Sequence, residues 1–266
     1  MTAHRPSRAA ESSVSAPSPL DARGWACIDF ISDLHLHPQE PQTVAAWRRY
    51  LASTPASAVF ILGDLFEAWV GDDAIAVPGF AADCAQALRE ASTQRPLYVL
   101  HGNRDFLMGD ALARACGFTL MGDPTVLTFG AHRWLLTHGD ALCVSDTAYM
   151  AFRAQVRTPH WQTTFLQRPL AEREALARQM REASEGHHQA PGYAADIDAD
   201  LACEWLDAAG SQVMIHGHTH RPAEHDLGGS HRRIVLSDWD ARATPPRLQA
   251  LRVSKSGVVE RIPLPT

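Results

Sequence analysis

Residues 58–64 read AVFILGD, a short apolar run that ends at Gly63 and Asp64. Four other apolar runs end in the same way, at a glycine or at a residue type that binds metals: WACIDFIS (25–32) before Asp33, LYVL (97–100) before His101-Gly102-Asn103, RWLLT (133–137) before His138-Gly139-Asp140, and QVMI (212–215) before His216-Gly217-His218. Short apolar runs bounded by turn residues predict buried strands. Helical patterns at 43–51 and 80–91 lie between the early runs, whereas RRIVLSDW, RLQALRV and GVVERIPL after residue 230 predict consecutive strands. We therefore predict an α/β fold.

The bulk composition is that of an ordinary soluble globular protein, with 266 residues of which 45% are hydrophobic and 20% charged. This length can form one domain with a sizeable core. A net charge of −6 argues against a surface that coats nucleic acid, so we expect no nucleic-acid partner. The five cysteines are scattered and never spaced as C-x-x-C, which argues against a disulfide scaffold or a zinc ribbon and favours a reducing compartment.

Residues 1–24 are rich in serine, alanine and proline and lack the unbroken apolar core of a signal peptide. We therefore predict a disordered tail over 1–24 and a single domain over 25–266. No window approaches the ~18 consecutive apolar residues that a membrane span needs. The protein is expected to be cytoplasmic, or at most peripheral to a membrane.

A segment of different character, about residues 146–190, lies between two of the predicted strands. Large apolar residues recur in it at spacings of three and four, which predicts inserted helices. Six arginines are interleaved with them: Arg153, Arg157, Arg168, Arg173, Arg178 and Arg181. Two interpretations stay open: a helical hairpin that packs on the sheet, or a helical cap whose apolar side faces a lipid and whose arginines face an anionic surface.

Five short motifs carry residue types that bind divalent metals: Asp33-Leu34-His35, Gly63-Asp64, Gly102-Asn103-Arg104-Asp105, His138-Gly139-Asp140 and Gly217-His218-Thr219-His220. Each follows a predicted strand, and in open α/β sheets ligands gather where the loops leave the strand ends. Carboxylate and amide oxygens suit Mn²⁺ and Mg²⁺, and imidazole extends the set toward Mn, Fe and Zn. One D-x-H or G-D alone is a common accident, and His218 and His220 alone could be polar loop residues. All five motifs in order predict a metal site.

The order D-x-H, G-D, G-N-x-D, H-G-D and G-H-x-H resembles the signature of calcineurin-like metallophosphoesterases. The resemblance implies a pair of facing mixed β-sheets flanked by helices, with two metal ions at the edge that bears the loops. It assigns Asp33, His35, Asp64 and His220 to one ion, and Asp64, Asn103, His138 and His218 to the other. Asp64 then bridges both ions and holds the shared hydroxide. His216 is not a ligand in this pattern, and we expect it to have a hydrogen-bonded structural role.

Longer strings resemble one branch of that family, the UDP-2,3-diacylglucosamine diphosphatases of lipid A synthesis: ISDLHL (31–36), FILGDLFEAWVGDD (60–73), LHGNRDFLMG (100–109), THGDALC (137–143), DTAYMAFRAQVR (146–157), WQTTFLQRPL (161–170) and IHGHTHRPAEH (215–225). The likeness covers roughly residues 26–263. It implies two Mn²⁺ ions per chain, with Mg²⁺ or another divalent ion possible, and cleavage of a UDP-linked diacyl glucosamine lipid to UMP and 2,3-diacylglucosamine 1-phosphate. It also implies a peripheral enzyme on the anionic cytoplasmic face of the inner membrane. Substrate contacts are implied at Asn103, Arg104, Asp146, Ser184 and His218.

The chain departs from that branch at two places. SEGHHQAPG (184–192) lacks the lysine that the branch carries downstream of Ser184, and LSDWD (236–240) replaces the late motif. Asp146 is, by composition alone, equally suited to cap the following helix. Two alternatives stay open: another dinuclear-metal phosphoesterase, such as a nucleotide diphosphatase, nuclease or phosphoprotein phosphatase, and a catalytically silent scaffold that only binds. The complete ligand set argues against the scaffold, and the arginine-rich apolar insert favours a lipid substrate.

Arg104 stands where much of the wider family has a histidine. An arginine stays protonated near neutral pH, so it cannot give a proton to a departing alcohol. A phosphate leaving group needs no such proton, because its second pKa is only about 6. The planar guanidinium suits phosphate oxygens instead. Arg104 therefore favours diphosphate cleavage, in which it stabilises phosphate charge.

Overall fold

A computed structural model describes residue 22 and residues 24–188 and 196–266, with side chains described to residue 180 and again from residue 196. The tail predicted over 1–24 lies almost entirely outside the described residues and stays a prediction. The same holds for the single domain over 25–266, of which residues 189–195 are not described.

Two mixed β-sheets form the centre of the described part of the chain. The first consists of β1 (Cys27–Ile31), β2 (Ala58–Leu62), β3 (Leu97–Leu100), β4 (Thr119–Leu120), β10 (Gln249–Ser254) and β11 (Val259–Pro263), in the order β11-β10-β1-β2-β3-β4. The second consists of β5 (Thr125–Phe129), β6 (His132–Leu136), β7 (Val213–His216), β8 (Glu224–Gly228) and β9 (His231–Val235), in the order β5-β6-β7-β9-β8. In the first sheet, β1 to β4 pair with one another in parallel, whereas β10 and β11 are antiparallel to their neighbours. In the second sheet, β6, β7 and β9 pair in parallel, whereas β5 and β8 are antiparallel to their neighbours.

Helices cover the outer faces of both sheets. Helices α1 (Pro41–Ser53), α2 (Phe80–Ser92) and α3 (Asp110–Cys116) pack on the first sheet, and α7 (Ala199–Ala209) packs on the second. Helices α4 (Thr147–Val156), α5 (Pro159–Leu166) and α6 (Leu170–His188) are inserted between β6 and β7.

The side chains of β2 show why its sequence is an unbroken apolar run. Val59 and Ile61 face the helices of the first sheet, whereas Phe60 and Leu62 face the second sheet and join a cluster with Leu136. Successive side chains of a strand point to opposite faces, so a strand that is covered on both faces must be apolar throughout. All five residues of β2 are buried. The predicted α/β fold with two facing mixed sheets and flanking helices is confirmed.

The inserted helices bury only part of their apolar surface. Val156 and Phe165 are buried, and Trp161, Leu170 and Leu176 pack against the core beneath the first sheet. Three other large apolar side chains remain exposed: Phe152 (39%), Leu166 (41%) and Met180 (41%). The insert therefore packs on the core, as expected for a helical hairpin on the sheet. It also exposes apolar side chains, as expected for a cap that faces a lipid. Among the described residues, every helix is too short or too polar to span a bilayer.

Candidate functional site

All seven predicted metal ligands lie on loops that follow strands, at one edge of the paired sheets. Asp33 and His35 follow β1, Asp64 follows β2, Asn103 follows β3, His138 follows β6, and His218 and His220 follow β7. Backbone hydrogen bonds join neighbouring loops, since N of Asp33 donates to O of Gly63 at 3.1 Å and N of Gly217 donates to O of His138 at 3.0 Å. The N–H of His218 also donates to the carboxylate of Asp33 at 3.0 Å, which joins a loop of one sheet to a loop of the other.

Five of these seven residues have a left-handed backbone: Asp33 (φ 53°), His35 (47°), Asp64 (50°), His218 (67°) and His220 (52°). In the part of the chain that the structure describes, no other non-glycine residue has a positive φ. Residues other than glycine rarely occupy this region, and those that do cluster at functional sites. The backbone is thus bent at the positions that aim these side chains at one another.

The first group of ligand atoms comprises Asp33, His35 and His220. Nε2 of His35 lies 3.2 Å from Nε2 of His220, which in turn lies 3.3 Å from Oδ1 of Asp33. One ligand atom from each of these three residues lies within 4.8 Å of the other two. Two imidazole nitrogens and a carboxylate oxygen that converge in this way are suited to one divalent cation.

The second group comprises Asp64, Asn103, His138 and His218. Oδ1 of Asn103 lies 2.9 Å from Nε2 of His138 and 3.0 Å from Nδ1 of His218. Oδ2 of Asp64 lies 3.7 Å from Nε2 of His138 and 3.9 Å from Nε2 of His35, so one oxygen faces both groups. The other oxygen of Asp64 accepts a hydrogen bond from N of Arg104 at 2.8 Å, which fixes the carboxylate in this orientation.

The charges at this edge favour cations. Burial alone would raise the pKa of Asp33, but the hydrogen bond from His220 and the neighbouring imidazoles hold that pKa well below its usual range. Burial alone would lower the pKa of His138, because it disfavours the charged imidazolium. The nearby carboxylates of Asp64 and Asp33 outweigh this effect of burial and raise the pKa of His138 to about 9. The buried carboxylates thus attract positive charge, and the oxygen and imidazole donors suit divalent ions such as Mn²⁺. The residues therefore fit divalent metal binding.

Arg104 and Glu67 lie beside the first group. Nε of Arg104 is buried and has no hydrogen-bond partner among the described residues. Oε1 of Glu67 lies 3.7 Å from NH1 of Arg104, and Oε2 of Glu67 lies 3.0 Å from Nδ1 of His35. Sequence reasoning did not single out Glu67, although an acidic residue within the otherwise apolar stretch LFEAWV, just after Asp64, could have drawn attention to it.

Helix α4 contacts the site through Asp140, a fully buried carboxylate on the loop after β6. The O–H of Tyr149 and Nε of Arg153, the latter at 2.7 Å, both donate to Oδ2 of Asp140. Arg157 donates to O of Gly102 at 2.8 Å, on the loop after β3. Burial alone would raise the pKa of Asp140, but Arg153 and its other cationic neighbours hold it well below its usual range. The insert is therefore anchored to the same loops that carry the ligand atoms.

Among the arginines of the insert whose side chains are described, at least three face the protein. Besides Arg153 and Arg157, Arg173 is buried and donates to the carboxylate of Asp73 at 2.9 Å and to O of Val70. For these three residues the interpretation of outward-facing arginines is wrong, because each pairs with an oxygen of the core.

Two predicted substrate contacts, Asp146 and Ser184, and the predicted structural residue His216 do not belong to the seven predicted metal ligands. Oδ1 of Asp146 accepts a hydrogen bond from N of Tyr149 at 2.9 Å, so Asp146 caps α4. The side chain of Ser184 lies outside the described part of the chain. His216 is fully buried, with Nδ1 2.8 Å from O of Gly217, next to the ligand candidate His218.

The calcineurin-like phosphoesterase family model matches residues 28–222. A protein of Chromobacterium violaceum named UDP-2,3-diacylglucosamine hydrolase is 47% identical over 221 residues, which cover 80% of this chain and 90% of that protein. A protein of Xanthomonas axonopodis with the same name is 45% identical over 236 residues, which cover 83% of this chain and 94% of that protein. The solved structure of the phosphoesterase YfcE from E. coli is 13% identical, with a TM-score of 0.42 over 90% of this chain and 100% of that one.

Proposed function

Because this chain belongs to the calcineurin-like phosphoesterase family, we propose that it hydrolyses UDP-2,3-diacylglucosamine to UMP and 2,3-diacylglucosamine 1-phosphate. The names of the two relatives support this substrate. The geometric support is the single oxygen of Asp64 that faces both groups of ligand atoms, 3.9 Å from His35 and 3.7 Å from His138. Such an oxygen suits two cations that share one ligand, which is the arrangement that dinuclear phosphoryl-transfer sites use.

The proposed centre takes two Mn²⁺ ions, with Mg²⁺ as the alternative. Asp33, His35, Asp64 and His220 would hold one ion, and Asp64, Asn103, His138 and His218 the other. When bound, two such ions lower the pKa of water and neutralise charge on phosphoryl oxygens. Asn103 directs its amide oxygen to the imidazoles, and an amide NH₂ group can donate to a phosphate oxygen.

Arg104 is proposed to bind the diphosphate. Its N–H groups form a planar fork that matches phosphate oxygens. Its Nε is buried without a partner among the described residues, and a buried donor of this kind costs free energy until an acceptor occupies the site. Because a phosphate leaving group needs no proton, a residue that only stabilises charge is sufficient here.

The acyl chains are proposed to bind an apolar groove of about 330 Å³ between the core and α6. Its walls include Phe66 and Trp69 from the core and Leu170 and Ala177 from α6. Glu67 also lines this groove, and Glu67 contacts His35, so the groove reaches the candidate metal centre. Each buried methylene contributes up to ~0.8 kcal/mol, so acyl chains in such a groove add strongly to substrate binding.

Turnover of acylated and unacylated substrates tests this proposal. With Mn²⁺, kcat/KM for UDP-2,3-diacylglucosamine should far exceed that for UDP-N-acetylglucosamine. Ala177→Phe, which fills the groove, should lower turnover of the acylated substrate, whereas Ala52→Phe on the exposed face of α1 should not. Comparable turnover of both substrates by the unaltered chain would contradict acyl recognition and point to a general nucleotide diphosphatase.

We also propose that the protein works on the cytoplasmic face of the inner membrane as a peripheral protein, with the three helices of the insert as its cap. The exposed Phe152, Leu166 and Met180 are suited to enter the headgroup region. Sedimentation with anionic lipid vesicles checks this, since Phe152→Asp should weaken the association and Val258→Asp, at an exposed residue beside β11, should not. Equal binding by both variants would contradict the membrane role of the insert.

A further inference from the structure

Glu67 lies between a candidate metal ligand and the arginine proposed to bind phosphate. One carboxylate oxygen is 3.0 Å from Nδ1 of His35 and the other is 3.7 Å from NH1 of Arg104. The Glu67 side chain is only 13% exposed, so these contacts are largely shielded from water. We infer that Glu67 is a positioning residue that holds His35 and Arg104 in register, so that the metal centre and the diphosphate are aligned. This inference rests on the proposed function.

The backbone around Glu67 explains how one carboxylate reaches both partners. N of Glu67 donates to O of Leu36 at 3.2 Å, on the loop that follows β1 and carries His35. N of Trp69 donates to O of Arg104 at 3.1 Å, on the loop that follows β3. The loop after β2 therefore lies between the other two and is bonded to each, and Glu67 occupies the stretch that joins these two contacts.

The contact with His35 selects which ring nitrogen faces the cation. Nδ1 of His35 lies 3.0 Å from Oε2 of Glu67, although the pair does not have hydrogen-bond geometry and Nδ1 has no hydrogen-bond partner among the described residues. A carboxylate attracts a proton and offers none, so its closeness to Nδ1 favours the tautomer of His35 that carries the proton on Nδ1. The lone pair is then on Nε2, the atom that faces His220 and Asp64. A carboxylate behind a metal-bound histidine commonly plays this part, and its loss typically costs 10–100-fold in metal affinity or activity.

The contact with Arg104 limits where the guanidinium can lie. An unpaired arginine has many rotamers, whereas one beside a fixed carboxylate keeps its fork in one region. NH1 faces Glu67, while the buried Nε is left without a partner among the described residues. Glu67 thus orients Arg104 without using the donor that is proposed to meet the phosphate.

A double-mutant cycle in the Mn²⁺-loaded enzyme tests the coupling to Arg104. Glu67→Gln keeps the size of the side chain and an acceptor for His35 but removes the charge that faces Arg104. It should lower kcat/KM for UDP-2,3-diacylglucosamine by ~10-fold in the unaltered background, within the range of coupling energies for residues in contact, and have little further effect in an Arg104→Ala background. Equal losses in both backgrounds would overturn the coupling. Glu90→Gln, on the exposed face of α2, is the matched control and should change nothing.

Metal affinity provides a readout that does not depend on turnover. Calorimetric titration of the metal-stripped full chain with Mn²⁺ should show ~10-fold weaker binding for Glu67→Ala, with Glu67→Gln close to the unaltered chain. An unchanged affinity of folded Glu67→Ala, judged by its thermal unfolding, would overturn the role toward His35. If the unaltered chain binds Mn²⁺ but does not hydrolyse the substrate, the proposed function fails while this metal-binding test still stands.

Discussion

Replacing Gly102 with alanine should disable the site by displacing the carboxylate that faces both groups of ligand atoms. A Cβ at this position would lie 2.0 Å from Oδ1 of Asp64 and 2.3 Å from its backbone N, whereas ordinary contacts begin at 3.4 Å. The carboxylate would have to retreat by about 1.4 Å, the difference between the first distance and an ordinary contact. No left-handed backbone strain contributes, because Gly102 is not among the glycines with positive φ.

A displacement of that size predicts a loss of at least ~10²-fold in kcat/KM, since misplacing a reacting group by about 1 Å can cost that much. Steady-state hydrolysis of UDP-2,3-diacylglucosamine with Mn²⁺ measures it, and thermal unfolding establishes that the variant is folded. Gly122→Ala is the matched control, because a Cβ there meets nothing within 4 Å. Gly102→Ala with activity within about threefold of the control would refute the role given to Asp64.

The remaining predictions concern the shared carboxylate, the phosphate-binding arginine and acid stability. Asp64→Ala should lose nearly all activity because both cations lose a ligand. Chelation should likewise abolish the activity of the unaltered chain, and Mn²⁺ should restore that activity best. Full activity in metal-free buffer would contradict this prediction. Arg104→Ala should lower the turnover of the diphosphate substrate by ~10²-fold or more. The unaltered chain should cleave alkyl phosphate monoesters poorly. Steady-state kinetics on both substrates test the role of Arg104, and efficient monoester cleavage would contradict it. Hydrogen bonds from Arg233 lower the pKa of Asp196 to about 2. Because an unfolded aspartate has a pKa of about 3.9, the pair stabilises the fold above that pH and its contribution is lost as the pH falls toward 2. Denaturant unfolding at several pH values should show a weaker acid dependence for Asp196→Asn, and identical pH profiles would exclude the pair as a source of stability.

The sequence predicted the strands and the candidate ligands because both depend on local rules. An apolar run such as that of β2 is needed wherever both faces of a strand are covered, so it is visible without the structure. Ligand types placed directly after such runs then lie at one edge of a sheet. The resemblance to calcineurin-like metallophosphoesterases then selected seven candidate ligands from these motifs, and the structure places the seven side chains near one another at that edge.

Features that depend on contacts between distant segments could not be predicted in this way. Strand β8 has the sequence EHDLG and forms because it pairs with β9, not because of an apolar pattern. The direction of Arg153 and Arg173 depends on which buried or nearby acid each one meets, Asp140 in one case and Asp73 in the other. Periodicity places these arginines on helices but does not identify a partner, so it left open whether they face the core or an anionic surface.

The most direct test of the account is hydrolysis of UDP-2,3-diacylglucosamine with Mn²⁺ in water enriched in oxygen-18, with the products identified by mass spectrometry. Attack of water on the α-phosphate predicts UMP that carries the heavy oxygen, together with unlabelled 2,3-diacylglucosamine 1-phosphate. Label in the sugar phosphate would contradict the site of attack. Absence of both products from the Mn²⁺-loaded, folded chain would contradict the proposed function itself.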